Sequence, residues 1–212
     1  MATFIVRVWL NDRPGALGAV ASRVGALRGD VIGIDIIDRG AGRAIDELVI
    51  DLPDPTLVDL LLGEIGEVDG VDVEHIRPLD APPPDPSVLA LEVARRVHRA
   101  PTLEDSLREL VDGAMHLLSC DWAALVDPST GELVASAGED VPGAGWLSAF
   151  VLGARASEGS AELSDLAMAE LPDHGTALVV ARAESPLRGR EQEVLHGLAS
   201  LVDGPLRTAL AS

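Results

Sequence analysis

The run Pro78-Leu79-Asp80-Ala81-Pro82-Pro83-Pro84-Asp85-Pro86 limits this chain more than any other feature, because five of its nine residues are proline. Proline fixes φ, lacks an amide donor and biases the preceding residue away from helix, so such a run suits neither helix nor central strand. It reads as a stiff, extended spacer. The 212 residues are therefore expected to divide into a first domain at 1–79, a linker at 80–86 and a second domain at 87–212. A hydrophobic content of 47% allows each part a buried core and excludes wholesale disorder. No apolar run approaches the ~20 residues that span a bilayer. Met1-Ala2-Thr3-Phe4 leads into an alternating apolar stretch with no basic segment, so no secretory signal is expected and the expected location is cytoplasmic.

Charge narrows the function. All sixteen basic residues are Arg, and thirty-five acidic residues bring the formal net charge to −19. The excess is spread evenly, −8 over residues 1–80 and −11 over residues 81–212. Either half would repel a phosphate backbone, and three Trp with two Phe offer little surface for base stacking. Nucleic acid is excluded as a partner, and so is a membrane.

Before the spacer, strand and helix signals alternate. In Thr3–Leu10 one face carries Phe4, Val6, Val8 and Leu10, and the other Ile5, Arg7 and Trp9. Asn11-Asp12-Arg13-Pro14-Gly15 is a turn that opens a helix with Ala16, Leu17, Val20, Ala21, Val24 and Leu27 at helical spacing. Gly29-Asp30 stops that helix, and Val31–Asp38 reads as a buried strand. Arg39-Gly40-Ala41-Gly42-Arg43 is a hairpin loop and Ala44–Leu52 the returning strand. Thr56 is placed to cap a second helix through Ile65, and Val71–Ile76 is a fourth strand. The resulting order, β-α-β-β-α-β, builds an antiparallel sheet with both helices on one face.

The loop at the first strand–helix junction carries the candidate chemistry. Pro14 presets φ for a first helical position, and Gly15 lets backbone come close to a ligand or a neighbour. Free amides at the helix start suit a carboxylate. Asp12 either caps those amides or receives a ligand's ammonium group.

With Asn11-Asp12-Arg13-Pro14-Gly15-Ala16-Leu17 matching a D-x-P-G-x-L loop, residues 3–79 resemble an ACT domain. The resemblance implies a ferredoxin-like α+β fold, pairing of two copies, and an amino acid held between this loop and the second strand of the partner. By position it implies ligand-side roles for Asn11, Asp12, Pro14, Gly15, Ala16 and Leu17. The second-strand position that often holds Asn in amino-acid-binding members is Val31 here, which leaves backbone contacts to serve.

Beyond the spacer, Ser87–His98 and a helix capped by Thr102, with Asp105 at its third position, show apolar stripes. Trp122–Val126 and Glu132–Ala135 flank the turn Asp127-Pro128-Ser129-Thr130-Gly131. A helix at Gly145–Ala156, a strand at Thr176–Arg182 and a terminal helix capped by Ser185 complete the pattern. The hairpin at Asp121–Ala137 and the ending Ala177–Arg182 with Pro186–Glu191 make residues 101–211 similar to a compact GAF domain. No cyclic-nucleotide signature or bilin-attachment cysteine accompanies it, so the resemblance implies a dimerisation or partner-docking module. Arg188–Leu195 also resembles the opening of a bacterial helix-turn-helix domain, but Leu201–Ser212 supplies no basic recognition helix.

Nothing in the sequence demands catalysis. His75, His98, His116, His174 and His196 make no i, i+3 or i, i+4 pair, so no helical metal site forms. Asp46 and Glu47 adjoin within a strand and face opposite ways. Gly40-Ala41-Gly42 lacks the spacing of a dinucleotide loop, and neither a P-loop nor a nucleophile elbow occurs. Cys120 reads as a buried structural thiol. The expectation is therefore a non-enzymatic regulatory protein, without cofactor or metal, that senses an amino acid or related small metabolite as a homodimer and signals through its second domain. The alternative is a constitutive homo-oligomeric scaffold or partner-docking protein with no ligand.

Overall fold

A computed structural model of the chain describes residues 2–80, 85–156, 165–183 and 186–210. It is an α+β protein that divides into two compact units, Met1–Pro83 and Pro84–Ser212. Among the described residues are two four-stranded antiparallel sheets and six α-helices.

In the first unit the order is β1 (Ala2–Asn11), α1 (Ala16–Ala26), β2 (Asp30–Gly40), β3 (Arg43–Leu52), a 3-10 turn at Pro55–Leu57, α2 (Val58–Gly66) and β4 (Val71–Leu79). The sheet order is β2-β3-β1-β4, with every neighbouring pair antiparallel. This is the ferredoxin-like βαββαβ arrangement that the alternating signals lead one to expect. Strand β1 lies inside the sheet, so Phe4 through Val8 are all buried and the two-residue periodicity is hidden by pairing on both sides. Phe4, Val6, Val8 and Leu10 join Ala44, Leu48, Ile50 and Leu52 of β3 beneath Ala16, Val20 and Val24 of α1 and Leu61 and Ile65 of α2.

The opposite face of the sheet sets a tightly paired polar group beside the buried apolar residues Ile5 and Ile45. Arg7, 1% exposed, donates from Nε and Nη2 to Glu47 at 3.0 and 2.8 Å and lies 4.0 Å from Glu74. Glu74 also accepts from the Trp9 indole at 3.0 Å, and the Arg43 guanidinium stands 5.1 Å above the Trp9 ring. A buried guanidinium is tolerable because the carboxylates of Glu47 and Glu74 replace its water.

Two boundaries differ from expectation. The fourth strand runs on to Leu79. Thr56 does not cap α2 but lies in the 3-10 turn before it, which Asp54 caps: the Asp54 carboxylate accepts from the Thr56 amide at 2.9 Å and its hydroxyl at 2.8 Å. Those bonds hold the Asp54 carboxyl below the usual range.

The second unit comprises α3 (Pro86–Arg99), α4 (Leu103–Leu117), β5 (Trp122–Asp127), β6 (Glu132–Gly138), α5 (Ala144–Ala156), β7 (Leu166–Leu171), β8 (Thr176–Ala181) and α6 (Gly189–Leu210). Its sheet order is β6-β5-β8-β7. Helices α3, α4 and α6 cover one face, meeting Ala123, Leu125, Leu178 and Val180. Helix α5 covers the other, meeting Trp122, Ala124, Val126, Ala177 and Val179. Coverage on both sides explains why β8 is buried at every position.

Helix α3 starts inside the spacer, with Pro86 at its first turn and the Asp85 carboxylate accepting from the amides of Ser87 and Val88 at 2.8 and 3.3 Å. Thr102 caps α4 as expected, its hydroxyl accepting from the Asp105 amide at 3.1 Å. Ser185 lies outside the described residues. At the start of α6, Glu191 accepts from the Arg188 amide at 2.9 Å and pairs with Arg182 at 2.7 Å. Strand β7 has no counterpart in the sequence reading, because its inward positions include the small residues Ala167 and Ala169.

Gly138, which ends β6, has φ +91°. A Cβ there would run into the Asp121 carbonyl oxygen and stand 2.7 Å from the Trp122 Cα. Both obstacles are backbone. Gly138→Ala is expected to cost about 2 kcal/mol or more, read as a lower urea midpoint with unchanged slope.

Candidate functional site

The loop between β1 and α1 is held in place from three directions. The Asp12 amide donates to the Gly42 carbonyl of the β2–β3 hairpin at 3.0 Å, and the Arg13 amide closes on the Asn11 carbonyl at 2.7 Å. The Arg13 guanidinium reaches the Asp69 carboxylate at 3.3 Å, in the turn between α2 and β4. Asn11, paired with Arg43 at the end of β1, lays its side chain against the Cα of Gly70.

Gly15 then enters the left-handed region, with φ +91°, which a residue with a Cβ adopts only under strain. Asp12, Pro14 and Gly15 are exposed, Leu17 is half-buried, and Ala16 is buried against Leu10 and Ala44. No side chain caps α1. The capping role open to Asp12 is thus not taken up. The first turn of α1 also contains no acidic residue, so no carboxylate within the helix itself offsets the positive end of its dipole.

Five of the expected ligand-side residues, Asp12, Pro14, Gly15, Ala16 and Leu17, share this turn with Asn11 directly before it. Val31 does not join them. It pairs with Ile50, whereas Asn11 pairs with Arg43. Those positions are seven residues apart on β3, or about 23 Å of strand. Within one chain the loop and Val31 lie at opposite ends of the sheet.

Sequence reasoning set Asp46 aside with Glu47 as adjoining carboxylates of one strand, and the structure buries it. Its partners across the sheet are Val8 and Ile36, so it points to the helix-covered face, two residues from Ala44. Every second residue from Ala44 to Leu52 is apolar except this one, and that break in alternation was the available signal. Asp46 is 3% exposed, and its Oδ1 has no hydrogen-bond partner. Burial pushes its carboxyl above the ordinary aspartate range; Arg39 opposes this, and Asp12 and Asp35 add to it.

In the second unit a polar junction ties three elements together. Arg182 donates to the Leu118 carbonyl at 2.8 Å and to Glu191 at 2.7 Å, tying the end of β8 to the start of α6. Beside it, Cys120 is half-buried, and burial pushes its thiol up to about 12, so the thiolate needed for nucleophilic chemistry is not formed at neutral pH. Among the described residues no group of three His, Cys, Asp or Glu is placed to hold a metal ion, and no helix is long and apolar enough to cross a membrane.

No protein-family model matches the sequence, and no curated protein matches it. Among solved structures, the ACT domain of a GTP pyrophosphokinase from Chlorobium tepidum is 15% identical over 37% of this chain and all of its own, with a TM-score of 0.30. The GAF domain of an Acinetobacter phosphoenolpyruvate-protein phosphotransferase is 17% identical over 58% of this chain and 93% of its own, with a TM-score of 0.44. An uncharacterized protein from Thermotoga maritima is 24% identical over 37% of this chain and 96% of its own, with a TM-score of 0.30.

The burial of Asp46 has a measurable consequence. Its carboxyl is raised in the folded state, so the folded state holds the proton more tightly than the unfolded chain. Its contribution is favourable below the ordinary aspartate range and is lost as pH rises through the folded value. Asp46→Asn is therefore expected to be more stable than the natural protein near neutral pH, by about 1 kcal/mol. The gap should narrow as the solution is taken into the acid range, in urea titrations at matched pH.

Proposed function

We propose that the chain is a non-enzymatic regulatory protein whose first unit binds a free amino acid or related small metabolite and whose second unit passes the change to a protein partner. The observation that carries this reading is the start of α1. Its amides lack a side-chain cap and open onto an exposed turn that contains Asp12. Such a helix start accepts a carboxylate, and the negative charge of an aspartate in the turn favours a ligand that also carries an ammonium group over a second anion.

The same reading calls for a second copy. Strand β2 is an edge strand, and Ile32, Ile34 and Ile36 on it are 42%, 51% and 38% exposed. A long apolar edge is an aggregation hazard unless something pairs with it. Antiparallel pairing of two β2 strands about a two-fold axis near Asp35 and Ile36 would bring Val31 of the partner subunit to the end where the loop lies. The separation of Val31 from the loop within one chain is what such a pair would close.

That exposed edge also favours the second reading, a constitutive homo-oligomer without a ligand. Thermal-shift and calorimetric titration with the free L-amino acids separates the two. A ligand at about one hundred times its Kd stabilises the folded chain by about 2.7 kcal/mol, and Asp12→Ala should abolish the shift. Silence across the set leaves the scaffold reading.

Ile34→Lys should prevent β2 pairing. We expect a monomer by analytical ultracentrifugation where the natural chain is a dimer, with ligand binding lost in parallel. An unchanged mass would place the pairing surface elsewhere.

A further inference from the structure

Asp46 is a cost to the fold with no structural return. Its neighbours across the sheet are apolar side chains, Val8 and Ile36, and its Oδ1 is buried without a hydrogen-bond partner. The contrast with Arg7 is direct, since that buried cation is met by Glu47 at 2.8 Å. A buried carboxylate left unpaired is destabilising, and one retained in that state is a candidate for a partner that comes and goes.

Its position says where that partner would sit. Val8 and Ala44, which flank Asp46 on the same face, belong to the core cluster that receives Ala16, the first residue of α1. The carboxylate therefore lies on the helix-covered face, three residues along β3 from the Arg43 that pairs with Asn11, and its neighbour toward the β2 edge, Ile36, is 38% exposed. Asp12 and Asp35 add negative charge around it, and Arg39 is the one cation whose field opposes them. Arg39 is exposed and forms no ion pair with Asp46. A cationic group is the missing partner.

Taken with the binding reading above, on which this inference rests, the geometry points to Asp46 as the acceptor of the ammonium group of a zwitterionic ligand whose carboxylate lies on the open amides of α1. The helix start fixes the anionic end and Asp46 fixes the cationic end. The site so built selects α-amino acids against carboxylates that lack the amine, such as the matching α-hydroxy acids. The selection has a physical basis, because a hydroxyl in place of the ammonium leaves the buried charge uncompensated. Such a ligand would also relieve the burden that the empty carboxylate places on the fold.

The test is calorimetric titration of the full chain with each free L-amino acid, followed by the α-hydroxy acid of the same side chain: glycolate for glycine, L-lactate for alanine, glycerate for serine. In the natural chain the hydroxy acid is expected to bind weaker than the amino acid by about tenfold or more. In Asp46→Asn the amino acid should lose about that factor while the hydroxy acid changes little, so the preference collapses. Asp46→Glu, which keeps the charge, should keep the preference. Melting curves of both variants show that they are folded. Equal binding of the two ligands by the natural chain overturns the assignment without any variant. A preference that survives in folded Asp46→Asn also overturns it, and leaves the amino-acid reading intact. Silence from every amino acid removes the binding reading and the role of Asp46 with it.

Discussion

The first unit depends on the pairing of β1 along both of its edges. Ten residues of that strand meet β3 and eight meet β4, so its side chains are fixed by neighbours on either side. Its helix-facing residues supply the floor on which α1 and α2 rest. The strand then ends at Asn11, which still pairs with Arg43 of β3, and the turn that follows is launched from that paired end. The Asn11–Gly15 turn inherits that constraint, with backbone bonds to Gly42 and an ion pair to Asp69 completing it. A binding loop gains from such preorganisation, because less freedom is lost when a ligand arrives.

Two buried charges on neighbouring strands show how differently one sheet can treat its polar residues. On one face Arg7 has a carboxylate partner at 2.8 Å and a cluster of acidic and aromatic side chains around it. Removing one member of such a group leaves the others stranded, which is a structural role. On the other face Asp46 sits among apolar neighbours with Oδ1 unpartnered. The first arrangement is settled without a ligand. The second leaves a buried oxygen without a partner inside the fold, and that asymmetry is what singles Asp46 out for the test of binding.

Much of this was legible in the sequence, for reasons that differ by element. The alternation in β1 and the helical spacing of Ala16, Val20 and Val24 are local patterns, so the βαββαβ order follows from them. The interruption at residues 78–86 was legible because proline acts on its own backbone. The boundaries at Asp54 and Asp85 were not, because two nearby residues could each cap and only geometry chooses between them. Strand β7 escaped because alanine inside a sheet carries almost no periodic signal. Asp46 escaped for another reason. Its break in the apolar alternation was visible, but its burial follows from the register that sets it opposite Val8 on the helix-covered face, and register is a property of two strands together.

The acidity of the chain bears on what the loop could recruit. A net charge of −19 creates a field that repels free anions before they reach any site. A simple carboxylate metabolite approaches against that field, whereas an α-amino acid, neutral overall at physiological pH, does not. At short range the two ends of the zwitterion then meet opposite local charges, the positive end of α1 and the carboxylate of Asp46. A site that places a helix start and a buried aspartate side by side inside an acidic surface is biased twice toward zwitterions, once on approach and once on contact. The same two features would make it a poor site for phosphates or dicarboxylates, whose second negative charge would fall against Asp46.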